Sequence, residues 1–196
     1  MVRRYRIHLI RHLPTAGNQA RQYIGWTDEP VVVNEGRITE PLNPSVVYGS
    51  DLLRAKQTAE LYFPEAAYEA DARWRECNFG VFEGKTYAEL EKVQEYRDWI
   101  DNPFLMAPED GESLRDVQKR VLEALAELPD EAVVVTHGGP MRVILTKFSP
   151  IPQEFWSWNI PHGVVYQLDW DSEQAFKEGK PCMSISAELQ TENGIM

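Results

Sequence analysis

The chain has 196 residues, with 31 acidic against 20 basic side chains for a net charge of -11, and 43% of it is apolar. That length and apolar share suit one compact α/β domain over 1–196 that folds without a partner, and the acidic balance repels phosphate backbones and anionic headgroups, so nucleic acid and membrane surfaces are not expected partners. No apolar run approaches the roughly 18–20 residues of a bilayer-spanning helix, Met1–Leu9 carries no cleavage signal, and two cysteines, Cys77 and Cys182, make no disulfide framework; the reading is cytosolic, with reduced thiols.

In chain order, Arg6 to Ile10 reads as a short strand that runs into Arg11 and His12, followed by Pro14, Thr15 and Asn18 in a loop. Trp26 to Pro44 is rich in turn formers and reads as a loop. Val46 to Gly49 looks like a strand leading through Ser50 and Asp51, good cap types, into a helix over about Leu52 to Tyr62. Helical patterns follow at Thr86 to Ile100 and at Leu114 to Leu128, with a loop carrying two prolines, Asn102 to Gly111, between them. Ser113 with Asp116 three residues on is a variant of the capping box, and Pro129 closes that second helix.

Ala132 to Thr136 is a nearly pure β-branched run of the kind buried on both faces of a parallel sheet. Gly138-Gly139-Pro140 then opens a helix to about Phe148, Gly163 to Trp170 alternates as a late strand, and the polar tail 189–196 is expected to fray. The order is βαβ-like, without internal repeats.

Ligands of open α/β sheets bind beyond the carboxyl ends of the strands, where Arg11, His12, Arg54 and His137 would converge. The charge of Arg11 would depress the imidazole pKa of His12 and leave a neutral ring able to attack phosphorus; a hydrogen-bonded structural histidine is the competing account, and His8, inside the strand, reads as core. Arg54 falls in the first turn of its helix, where the macrodipole disfavours a cation and a bound phosphate would relieve it, against the plainer reading of a surface pair with Asp51. His137-Gly138-Gly139 puts an imidazole and unhindered amides at a helix N-terminus, suited to an anion, although a tight turn explains it as well.

Phosphoryl transfer also needs an acid for the leaving oxygen. Arg73-Trp74-Arg75-Glu76 supplies a carboxyl group, with Glu83, Glu109 and Glu112 as rivals that spacing does not separate. The histidines are scattered singly and no pair of His, Cys, Asp or Glu has a metal-ligand spacing, so neither a metal nor another cofactor is called for. The aromatics Tyr87, Tyr96, Trp99, Trp156 and Trp158 read as helix core without a catalytic role.

With these residues in hand, the chain resembles the histidine phosphatase superfamily, the phosphoglycerate-mutase-like group of cofactor-dependent mutases, broad-specificity phosphatases and α-ribazole phosphatase. The resemblance rests on LIRHLPTAGN (Leu9 to Asn18), GWTDEP (Gly25 to Pro30), SDLLRAKQTAE, RECNFGVFEG and VVVTHGGP in that order, from Arg6 to about Trp170. It implies a three-layer α/β/α sandwich with a mostly parallel central sheet. It also implies His12 as phosphohistidine nucleophile, Arg11, Arg54 and His137 as the phosphate pocket with help from Asn18 and the Gly138 amide, and Glu76 as proton donor. Leu13 replaces the usual glycine of the signature and Pro14 its acidic or amide residue, so Leu13 is expected to narrow the pocket; between Gly36 and Val46 a short Pro-containing stretch stands where the family has an added helix.

The expected activity is metal-independent hydrolysis of small phosphorylated metabolites. The rivals are a mutase, for which the chain is short and lacks an insertion after the acid loop, and a binding module that has lost turnover. Substrate identity depends on loops near Trp26, Asn102 to Gly111 and His162, the last reading as a surface histidine or a rim residue. A homo-oligomer stays open.

Overall fold

The computed structural model describes residues 4–33 and 42–188. The expected frayed tail and most of the Gly36 to Val46 stretch lie outside the described residues. Six strands, β1 (Tyr5–Arg11), β2 (Val46–Gly49), β3 (Ala67–Ala70), β4 (Ala132–Thr136), β5 (Val165–Trp170) and β6 (Ser184–Glu188), form one sheet in the order β3-β2-β4-β1-β5-β6. β1, β2, β3 and β4 pair in parallel, and β5 runs antiparallel to both β1 and β6.

The period-two alternation of strand side chains divides the core into two layers. On one face Ile7, Leu9, Ala132 and Val134 pack against helices α5 (Leu114–Ala126), α6 (Gly138–Phe148) and α7 (Glu173–Lys177). On the other, Ile10, Val133 and Val135 pack against Ala55, Ala59 and Tyr62 of α2 (Leu53–Tyr62). This is the expected three-layer α/β/α sandwich. β4 lies at its centre, and all five of its residues are buried, as its β-branched run requires of a strand covered on both sides. No helix among the described residues is long and apolar enough to cross a membrane.

α5 forms because Val117, Val121, Ala124 and Leu125 recur on one buried face, each large side chain contributing roughly 1.5–3 kcal/mol by burial. Ser113 caps it as expected: its hydroxyl accepts from Asp116 N at 3.2 Å and the Asp116 carboxylate accepts from Ser113 N at 3.0 Å.

One expected helix is two. Thr86 to Ile100 breaks into α3 (Tyr87–Leu90) and α4 (Gln94–Asp101), with Val93 extended between them. In one continuous helix Leu90 and Tyr96 would point about 120° apart, yet both, with Trp99 and Phe82, belong to a single buried cluster; the break turns both pieces toward it. Of the five aromatics read as helix core, Tyr96 and Trp99 are core in this cluster and Trp158 is buried, but Tyr87 and Trp156 are exposed, because neither short turn that carries them presents them to a packed face. β3, β6, α7 and the one-turn α1 (Ala16–Gln19) have no counterpart in the sequence reading, because the two edge strands are mostly exposed and the two helices are too short for a period to register.

Candidate active site

Three parallel strands end level with one another, and the register brings their following residues together. Arg11 lies opposite Thr136, so His12 N donates to Thr136 O at 3.0 Å, and the imidazoles of His12 and His137 stand with ring centroids 4.9 Å apart. β2 ends beside β4, and α2 then carries Arg54 inward until it is fully buried. Arg54 Nε donates to His137 Nδ1 at 3.3 Å, and its two terminal nitrogens donate to Thr27 O at 2.9 Å and Gly25 O at 2.6 Å. The alternative partner for Arg54 is absent: Asp51 instead holds Arg75, at 2.6 Å.

These contacts assign the ring tautomers. His12 Nδ1 lies 2.7 Å from Leu13 O; a carbonyl only accepts, so Nδ1 bears the hydrogen and Nε2 keeps the lone pair. His137 is the reverse, since its Nδ1 accepts from Arg54 and Nε2 therefore bears a hydrogen. That Nε2 is buried and has no partner among the described residues, as is Arg11 Nε. Two buried N–H donors without acceptors are costly in a folded protein, and the His137 ring that carries one of them stands beside His12, whose Nε2 lone pair is free.

Burial, then the positive charge of Arg54, holds both His12 and His137 well below the ordinary imidazole pKa, so both rings are neutral at pH 7. Burial also lowers Arg11, to about 10, which leaves its guanidinium charged.

The acid loop brings Glu76 to the N-terminus of α6, where its charge acts on Arg11 and Arg54. Glu76 accepts from its neighbour Cys77 N at 2.9 Å and, with both oxygens, from Gly139 N at 3.1 Å. The carboxylate thus occupies the N-terminus of α6, where the helix dipole favours it. Only glycine leaves room there: a Cβ on Gly139 would come within 2.1 Å of Glu76 Oε1. Arg120, on α5, holds the loop in place through Arg73 O, Arg75 O and Glu76 O at 2.6–2.8 Å, and Thr136 Oγ1 donates to Trp74 O at 2.8 Å.

The rival carboxylates are engaged elsewhere or remote. Glu112 pairs with Arg120 at 2.8 Å, and Glu109 is exposed. Glu83 binds Gly25 N, Trp26 N and Thr27 Oγ1 at 2.7–3.0 Å, clamping from one side the loop whose carbonyls Arg54 holds from the other.

Of the expected site residues, Arg11, His12, Arg54, His137 and Glu76 come together, and Gly138 lies against the Arg11 and Arg142 guanidinium groups. Asn18 lines a polar cavity of about 320 Å³ with Arg11 and His162, and its side chain accepts from Thr15 N at 3.2 Å. His162 is a rim residue and not merely a surface one: it is half-buried, Nδ1 donates to His12 O at 3.0 Å, and burial first and Arg11 second lower its pKa to about 4. Leu13 packs against the cluster of Ile10 and Tyr62 on the α2 face and lines neither of the two cavities. His8 is core, as read, and both cysteines are free and buried.

Sequence reasoning missed Arg142, one turn beyond Gly138 on the same helix face; the i,i+4 spacing from that glycine was the available signal. It also missed Arg120, whose role depends on contacts to backbone carbonyls.

The model of the histidine phosphatase superfamily (branch 1) matches residues 7–179. Fructose-2,6-bisphosphatase of Saccharomyces cerevisiae is 30% identical over 131 residues, 63% of this chain and 28% of that protein, so the chain spans under a third of that relative's length. The probable phosphoglycerate mutase GpmB of Yersinia enterocolitica is 27% identical over 162 residues, 74% of this chain and 75% of that protein. Among solved structures, Bacillus stearothermophilus YhfR superposes with a TM-score of 0.72 at 29% identity, over 84% of this chain and 91% of that one.

Proposed function

The chain belongs to the histidine phosphatase superfamily, and from this footing we propose that it is a metal-independent phosphomonoesterase that hydrolyses small phosphorylated metabolites through a phosphohistidine on His12. The observation that carries the reading is the pairing of a neutral His12, its lone pair on Nε2, with the two unpartnered buried donors Arg11 Nε and His137 Nε2. Acceptors are what these donors lack, and the oxygens of a phosphoryl group supply them.

In the first half-reaction Nε2 of His12 forms a bond to phosphorus as the phosphorus–ester oxygen bond breaks, and Glu76 gives its proton to the departing alkoxide. Arg11, Arg54 and the His137 N–H stabilise charge on the transferring oxygens, with Asn18 and the Gly138 amide as further donors. In the second, Glu76 takes a proton from water, the hydroxide oxygen bonds to phosphorus, and the nitrogen–phosphorus bond breaks. Inorganic phosphate leaves and His12 is neutral again. Every charge and proton in this cycle is carried by the chain, the substrate or water.

Phosphate release from a panel of phosphomonoesters in the presence of chelator tests the proposal, together with a rapid-quench trap for acid-labile, base-stable phosphoprotein. His12→Ala is expected to lose both release and label, by at least about 10⁴-fold in kcat; full turnover in that variant would falsify the mechanism. The match to a phosphoglycerate mutase over three quarters of its length favours a second reading, transfer from His12 back to a substrate hydroxyl. Label that persists in water and discharges only on adding a phosphoglycerate acceptor would select it.

A further inference from the structure

A second cavity, of about 180 Å³, is bordered by Glu76, the proposed acid, and by Gly139, whose amide holds that carboxylate. Phe79, Trp99, Pro103, Phe155, Trp156 and Arg142 contribute to its lining, so it is mainly apolar, with several aromatic walls, where the His162 cavity is polar. Two of those side chains carry buried N–H groups without an acceptor among the described residues, Trp99 Nε1 and Arg142 Nε. Trp99 is only 5% exposed. The Arg142 guanidinium lies over the Trp156 ring at 5.8 Å and makes a long 3.4 Å bond to Trp158 O, which leaves most of its donors for a ligand.

From this we infer that the alcohol part of the substrate is a flat, ring-bearing, mainly apolar group with hydrogen-bond acceptors on its edge, seated among Trp99, Phe155 and Trp156. The inference rests on the phosphatase reading, in which Glu76 protonates the leaving oxygen. In-line displacement puts that oxygen on the far side of phosphorus from His12, and the alcohol then extends into whatever cavity adjoins Glu76. Aromatic walls of this kind hold a ring by offset or edge-on packing, and the Trp99 and Arg142 donors read acceptors on its rim. A small polyol would bury no apolar surface there and would leave the tryptophan walls wet.

The test compares three esters of similar alcohol acidity, so that leaving-group chemistry does not separate them: ethyl, naphthylmethyl and quinolinylmethyl phosphate. The wild type is expected to favour the ring esters over ethyl phosphate in kcat/KM by about a hundredfold, with the quinoline, which carries an acceptor nitrogen, ahead of the naphthalene. Trp156 is 63% exposed and can be removed without opening the core; Trp156→Ala should reduce the ring-to-ethyl ratio about tenfold. Trp99→Phe keeps a ring and removes the donor, and should erase the preference for quinoline. Equal kcat/KM on ring and ethyl esters, or a ratio that neither variant moves, overturns the inference. If no ester is hydrolysed at all, the phosphatase reading fails separately. Calorimetry with quinolinylmethanol then decides the pocket: binding that Trp156→Ala weakens supports it, and no binding to the wild type overturns it.

Discussion

Arg54 shows why a residue's meaning depends on what surrounds it. On the sequence it could pair with Asp51, but Asp51 is taken by Arg75, and a fully buried Arg54 instead holds two carbonyls and one imidazole nitrogen. All three contacts use the planar fork, which lysine lacks. Arg54→Lys is therefore expected to leave Gly25 O or Thr27 O unpaired, at a cost of about 1–3 kcal/mol, and to release the His137 tautomer, lowering kcat/KM by roughly 10²–10³-fold. Urea denaturation and steady-state kinetics on the same preparation measure both; a variant with wild-type kinetics and reduced stability would confine Arg54 to a structural role. Arg11, His12, Arg54 and His137 were legible because each ends or follows a strand or opens a helix, whereas Glu76, in a loop, was singled out by the family resemblance alone. The tautomers were not, since they follow from the carbonyl of Leu13 and the guanidinium of Arg54.

At the scale of elements, the N-terminus of α6 does two things with two glycines. Gly138 lies against the Arg11 and Arg142 guanidinium groups, and the Gly139 amide holds the Glu76 carboxylate, so amides that the sequence suggested for an anion partly serve the acid. Gly139→Ala would place a Cβ 2.1 Å from Glu76 Oε1, and the flexible carboxylate must move. Ala favours the helix over Gly by about 1 kcal/mol, so the fold should persist while proton donation suffers. The expected signature is a loss in kcat of about 10²-fold for alkyl esters and a smaller one for nitrophenyl phosphate, whose leaving group needs little protonation. Equal losses on both would show that Glu76 is not the acid.

The whole molecule keeps four histidines below their ordinary pKa, each chiefly by burial. Between the unfolded value near 6.5 and the lowered folded values, the unfolded chain binds protons that the folded one does not. Stability is therefore full above about pH 6.5 and falls as pH drops below it, by about 1.4 kcal/mol per pH unit for each histidine; for His162 the loss levels off near its folded value of about 4. Asp51, lowered by its hydrogen bond from Arg75, adds its own loss only at still lower pH. Urea midpoints at pH 7.5 and pH 5 should show one cooperative transition at each, as expected of one domain, with the midpoint markedly lower at pH 5. An unchanged midpoint would mean that these rings protonate in place.

The sequence by itself determined the α/β order, the central β4 strand, the capped α5 helix and the identity of the residues that meet at the sheet's carboxyl edge, because hydrophobic period, caps and strand ends are local properties of the chain. Only the tertiary structure decided the break between α3 and α4, the edge strands, the seating of the Glu76 carboxylate on the Gly139 amide at the α6 terminus, and the parts played by Arg120 and Arg142. Those depend on contacts between residues distant in sequence, whose partners are backbone carbonyls, amides and aromatic faces that carry no sequence pattern of their own.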